Sequence, residues 1–301
     1  MLFVLAIVGG GLVLVILALI AVSMISKGWP AVRSQGLDYF TSDVWDPAHG
    51  VFGTLAFTFG TVVISAIALL FAVPLSVGIA LFITEVAPRS LRRHIIYVVD
   101  LLAAVPSVVY GLWGIAVLAP ALPGFYTYVH DIVAPIPVLG TVLDGDPIVG
   151  KSFMTAALIL ALMVTPIITS ITRETFATVP QSQKDAAYAL GATRWEMIRA
   201  AVFPHSRSGM VSAVLLGLGR AIGETIAVAL VIGSNAQITA KMFSGGDALP
   251  SVIANEFGEA TGTQRSALIG MGVMIFFITL TIGIIARTVL NRSARRAEGS
   301  L

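Results

Sequence analysis

The chain has 301 residues, of which 57% are hydrophobic and only 11% charged, with 18 Lys and Arg, 16 Asp and Glu and a net charge of +2. A soluble domain carries roughly 25% charged residues, so this chain cannot cover a water-facing surface, and its near-neutral balance gives no footprint for nucleic acid. The absence of cysteine excludes structural disulfides, thiolate metal sites and cysteine nucleophiles.

Residues 1–26 contain no charged side chain and are long enough for a hydrocarbon core that needs about 20 apolar residues. They lack a basic leader region and an Ala-x-Ala cleavage site before Lys27, so they read as a retained helix rather than a cleaved signal. Because the run starts at Met1, a short cytoplasmic leader ahead of it is an expectation. Together with residues 2–25, the nearly uncharged stretches 52–84, 95–121, 153–171, 208–232 and 266–286 predict six membrane-spanning helices in an all-α polytopic membrane protein. The second run is longer than a bilayer requires and contains Pro74 and Gly78, which predicts a kink or a part outside the core. Pro106 and Pro166 break the third and fourth runs, as is tolerated where neighbours or a polar cavity satisfy the freed carbonyls.

Arg89, Arg92 and Arg93 follow the second run. Arg173, Lys184, Arg194, Arg199 and Arg207 follow the fourth, and Arg287, Arg292, Arg295 and Arg296 follow the sixth. The remaining connections hold fewer cations, among them Lys27, Arg33, Lys151, Lys241 and Arg265, mixed with acids such as Asp144, Asp146, Asp247 and Glu256. The positive-inside rule places the first group, and both termini, in the cytoplasm. The predicted organisation is a first helix (1–26), an extracytoplasmic connection (27–49), a five-helix core (50–288) containing a cytoplasmic loop at 173–207, and a cytoplasmic tail (289–301).

That loop carries its own punctuation. Ser182 and Asp185, then Thr193 and Glu196, have the spacing of two capping boxes, predicting two short helices. Gly191 between them suits a left-handed helix end, Pro204 is expected to close the second helix, and Ala186, Ala187 and Ala189 keep the first helix's surface low. The pair is open to reading as a solvated helical hairpin or as a docking element. A DNA-binding helix-turn-helix is disfavoured by the flanking spans and by a recognition helix whose only cations are Arg194 and Arg199.

Arg220 and Glu224 lie inside the fifth apolar run, four residues apart, where they can meet on one helix face. A charge at that depth needs a partner or a wet cavity. One reading is a self-neutralising ion pair used for packing. The other is an anion pathway in which Arg220 offers its fork to oxyanion oxygens and Glu224 holds it until the anion competes. Gly219 and Gly223, also four apart, allow a second backbone to approach.

Asp185, Ala186, Ala187, Gly191 and Pro204 resemble the EAA loop of bacterial ABC import permeases, with Asp for the usual Glu. Residues 220–228, RAIGETIAV, resemble the signature of phosphate-specific importer permeases of the PstC and PstA pair. So do residues 105–111, VPSVVYG, and 191–195, GATRW; residues 227–235 favour the PstC branch. The resemblance runs from about residue 50 to 287. It implies the type I ABC importer (MetI-like) permease fold, Arg220 and Glu224 in phosphate translocation, and the 185–204 element in coupling to a cytoplasmic ATPase. Ser107, Tyr110 and Thr225 are further candidates to line the pathway. The implied partners are a PstA-like permease, two ATPase copies that hold ATP and magnesium, and an extracytoplasmic phosphate-binding protein. The chain itself is expected to be no enzyme and to carry no cofactor.

Residues 145–152, GDPIVGKS, satisfy the Walker A pattern, but a span follows them, they lie on the outer face, and no soluble parallel sheet surrounds them. Lys151 is read as an interfacial anchor. His49, His94, His130 and His205 lack metal-ligand spacing. Asp100, near the cytoplasmic end of the third run, is interfacial or pairs with a basic loop residue. The sequence points to a permease of the bacterial plasma membrane importing inorganic phosphate. Alternatives are a sulfate or molybdate ABC permease, an ion-coupled secondary transporter using Glu224, and an anion channel with Arg220 as filter; neither of the last two needs a docking loop.

Overall fold

The computed structural model describes residues 2–145 and 150–298. Among them, five helices are long and apolar enough to cross a membrane: Leu5–Gln35, Leu55–Val86, Ser107–Val133, Phe153–Ala177 and Gly262–Ile285. The fifth expected span, 208–232, is present as two pieces, Phe203–Gly223 and Ile226–Val231. The centre of the Walker-like run, residues 146–149, lies outside the described residues.

The Phe153–Ala177 helix is the axis of the fold. Ile159, Leu160, Val164 and Ile168 are buried along it, and it packs between the Leu55–Leu81 and Phe203–Gly223 helices. Its start is fixed by Ser152, whose buried hydroxyl accepts from the Thr155 N–H at 3.1 Å, while Tyr126 meets Thr155 Oγ1 at 2.8 Å. Capping satisfies a donor that water cannot reach here. Ser152, which completes the Walker pattern, is therefore a helix cap.

The first helix continues to Gln35, well past the expected boundary at Lys27, and runs through Pro30. It lies along the Gly262–Glu298 helix, and the buried Tyr39 hydroxyl donates to the Ala267 carbonyl at 2.7 Å to lock that corner. A two-residue antiparallel pairing, Trp45–Asp46 with Val51–Phe52, leads into the second span. That span continues through Pro74 and ends in a π-helical turn, Phe82–Val86.

The third run is divided. Helix Arg89–Ala104 stops, Val105 and Pro106 are extended, and a new helix begins at Ser107. Proline removes a backbone donor and pushes the preceding residue out of the helical region, which accounts for the break at this position. Arg173, which the structure places near the end of the Phe153–Ala177 helix rather than in the loop, lies 3.9 Å from Asp100, so Asp100 pairs with a basic residue.

Candidate functional site

Two breaks meet beside the core helix. The helix beginning at Ser107 packs against the short helix Ile226–Val231. A Cβ on Gly111 would stand 2.8 Å from the Ala227 Cα, too close for any other residue without movement, so glycine permits the crossing. Gly114, one turn on, lies against Ile159 and Val231.

The fifth run breaks at Glu224, which is extended (φ −72°, ψ 126°). This overturns the expectation that Arg220 and Glu224 share a helix face. Glu224 is only 8% exposed, and its Oε1 accepts from the Ala227 N–H at 3.4 Å; the carboxylate has turned inward to the start of the next helical turn. Arg220 lies in the last turn of the preceding helix, is exposed, and forms no ion pair among the described residues. The self-neutralising pair is absent from this conformation. Arg220 instead lies within electrostatic reach of the Tyr110 hydroxyl.

Of the other candidates, Ser107 is half-buried at the start of its helix, directly after Pro106. Tyr110 donates its hydroxyl to the Leu102 carbonyl at 2.9 Å. Thr225 is half-buried and donates to the Gly223 carbonyl at 3.2 Å. The two breaks therefore gather a cation, an inward-turned acid and hydroxyls where discontinuous helices place ion and substrate sites in membrane transporters.

The loop at 173–207 forms a second constellation at the opposite end of the fifth span. Helix Gln181–Ala189 is preceded by Pro180. The expected Ser182–Asp185 box is not formed, because the helix begins one residue earlier and Asp185 accepts from the Gln181 amide at 2.9 Å. The second box is formed: Thr193 accepts from the Glu196 N–H at 3.4 Å and Glu196 accepts from the Thr193 N–H at 2.7 Å. These Thr193 bonds hold the Glu196 carboxyl below the usual carboxylate range.

Gly191 has φ +82°. The Ala192 N–H donates to the Ala187 carbonyl and the Gly191 N–H to Tyr188, a left-handed helix end of the Schellman type. Pro204 does not close the second helix as expected. Helix Arg194–Met197 passes through a π-helical stretch, Ile198–Val202, straight into Phe203–Gly223. The wider turn accommodates the donor missing at Pro204 without ending the helix.

Asp185 and Ala186 are exposed, while Ala187 packs on the buried cluster of Phe176, Met197 and Val202. Leu190 and Trp195 are 90% and 59% exposed, beside Tyr188. An apolar tip on a basic loop has the composition of a protein-docking surface.

Sequence reasoning missed the contact between Lys184 and Glu85, whose Nζ and Oε1 lie 2.6 Å apart with both side chains largely buried. An acid at the end of an uncharged run was the available signal, but its partner is 99 residues away.

Residues 72–299 match the family model described as binding-protein-dependent transport system inner membrane component. The chain belongs to this family. It is 44% identical over 289 residues to the phosphate transport system permease protein PstC of Xylella fastidiosa (strain 9a5c), covering 96% of this chain and 89% of that protein. It is 45% identical over 286 residues to the PstC of Mesorhizobium japonicum, covering 93% and 86%.

Among solved structures, it resembles a chain of the bacterial alginate ABC transporter in complex with alginate pentasaccharide-bound periplasmic protein. That match has a TM-score of 0.65 and 18% identity, and covers 96% of this chain and 94% of that one. An inward-facing MetNI methionine ABC transporter chain matches with a TM-score of 0.59 and 14% identity, covering 83% and 99%. At these identities the structural likeness establishes the fold, which is that of ABC importer permeases.

Proposed function

We propose that this chain is the permease subunit of an ATP-driven importer of inorganic phosphate, and that phosphate passes Arg220 at the junction of the two broken helices. The observation that carries the substrate is the identity of 44% across 96% of the chain with a phosphate permease. The geometry supports it chemically. Arg220 is exposed and released from Glu224, so its guanidinium is available to pair two oxygens of a tetrahedral anion. The buried Glu224 carboxylate repels an anion that advances too far and keeps binding from becoming a trap.

In this reading a PstA-like permease covers the open side of the Arg220 junction, and an extracytoplasmic binding protein delivers phosphate to the outer ends of the spans. A cytoplasmic ATPase dimer, which holds ATP and magnesium, docks on the loop from Asp185 to Pro204. The chain is a multi-pass plasma-membrane subunit with both termini cytoplasmic; it hydrolyses nothing. ATPase closure moves the docking loop, the spans reorient, and the junction alternates between the two sides.

Phosphate uptake in cells whose only high-affinity system contains this subunit tests the reading against the sulfate and molybdate alternatives. The expected result is labelled phosphate uptake that excess unlabelled phosphate suppresses and excess sulfate or molybdate does not. Suppression by sulfate or molybdate instead would overturn it.

A further inference from the structure

The loop that carries the docking surface is joined to the second span by a contact that neither the pathway nor the docking surface uses. Lys184 projects from helix Gln181–Ala189, and its Nζ lies 2.6 Å from Glu85 Oε1 in the π-helical turn Phe82–Val86. The side chains are only 12% and 7% exposed. The pair borders a cavity of about 570 Å³ that is also lined by Arg92, Gln181 and Tyr188.

The same turn is also held by Arg92, whose guanidinium donates to the Thr84 carbonyl beside the same cavity. Arg92 belongs to helix Arg89–Ala104, whose far end is the Pro106 break beside Tyr110 and Arg220. One continuous set of charged contacts therefore runs from the docking helix, through the π-helical turn, to the helix that ends at the anion junction. The docking helix is also attached through Ala187 to the apolar cluster of Phe176, Met197 and Val202 with Ala80, a contact that is non-directional. A buried ion pair cannot part without leaving a charge unpaired, so it transmits displacement in both directions.

We propose that Glu85 and Lys184 are positioning residues that tie the docking helix to the inner end of the second span, so that ATPase closure moves the Arg89–Ala104 helix and the junction at its end. The inference rests on the functional reading above. The tie is needed for coupling rather than for assembly, because the docking tip at Leu190 and Trp195 lies outside the pair.

The test uses the complete importer, with its second permease, ATPase and binding protein, reconstituted in liposomes. Phosphate imported per ATP hydrolysed is compared for wild type, Glu85→Gln, Lys184→Gln and the exchanged double variant Glu85→Lys with Lys184→Glu. Assembly is checked by co-purification of all subunits. The expected result is that each single variant assembles and hydrolyses ATP while its import per ATP falls by at least about fivefold, the lower end of usual site-to-site coupling. The exchange restores most of that ratio.

Single variants with the wild-type ratio, whether or not both rates fall together, would overturn the tie and leave the pair a packing contact. So would an exchanged variant no better coupled than the singles. A wild-type assembly that hydrolyses ATP without importing phosphate would overturn the functional reading and the tie with it, a result distinguishable because it needs no variant.

Discussion

The Tyr110 hydroxyl donates to the Leu102 carbonyl at 2.9 Å, the carbonyl that residue 106 would bond if it were not proline. Apart from a 3.4 Å contact from the Val105 N–H, it is this acceptor's partner among the described residues. Tyr110 thus closes the break and sits within reach of the Arg220 charge. Replacing it with Phe keeps the ring and deletes the bond. The Tyr110→Phe variant is expected to lose about 1 kcal/mol of stability, read as a lowered melting temperature of the purified complex. An unchanged melting temperature would show that the break needs no such closure.

The docking tip gives a second expectation. Leu190 is 90% exposed on a loop whose neighbouring helix ends are well satisfied, so it is not needed for the fold of this chain. Leu190→Asp is expected to weaken capture of the ATPase by at least about tenfold, the scale of an interface hot spot, while insertion and association with the second permease persist. Measured affinity of the purified ATPase for the permease pair checks it, and unaltered affinity would move the docking surface elsewhere.

The connection between the broken span and the last helix carries a pH dependence. Asp247 lies in the connection ahead of helix Leu249–Glu256, is 6% exposed, and accepts from the Ala248 N–H at 2.8 Å. Burial pushes its carboxyl up from 3.8 to about 6. The folded state thus binds a proton that the unfolded state has released, and stability falls as pH rises from about 4 through about 6 before levelling off. Asp247→Asn keeps the acceptor and removes the charge. The variant is expected to be more stable than wild type above pH 7, by at most about 3 kcal/mol, with the gain fading below pH 4. Melting curves across that range decide it; a pH-independent difference would refute the assignment.

The spans were legible because apolar runs between charged connections have no other stable use in a chain with so few charges. The break at Pro106 was legible because proline cannot donate. The break at Glu224 was not, since glycine such as Gly223 is common inside membrane helices and signals no break there, and the crossing of Gly111 with Ala227 joins residues more than a hundred positions apart. Spacing alone therefore joined Arg220 to Glu224, whereas tertiary packing separates them.

The Thr193 and Glu196 box and the left-handed Gly191 were local and readable. The Ser182 and Asp185 box had the same spacing but lost to a helix that starts at Gln181. Pro204 signalled a helix end, and the π-helical stretch Ile198–Val202 absorbed it instead.

The most direct test of the account is labelled phosphate uptake by cells that depend on this subunit, comparing wild type with Arg220→Gln and confirming that the variant assembles with its ATPase. The account predicts intact assembly with uptake lowered at least about tenfold, the scale of a lost charge-assisted hydrogen bond. Undiminished uptake by an assembled Arg220→Gln variant would contradict it and remove Arg220 from the pathway.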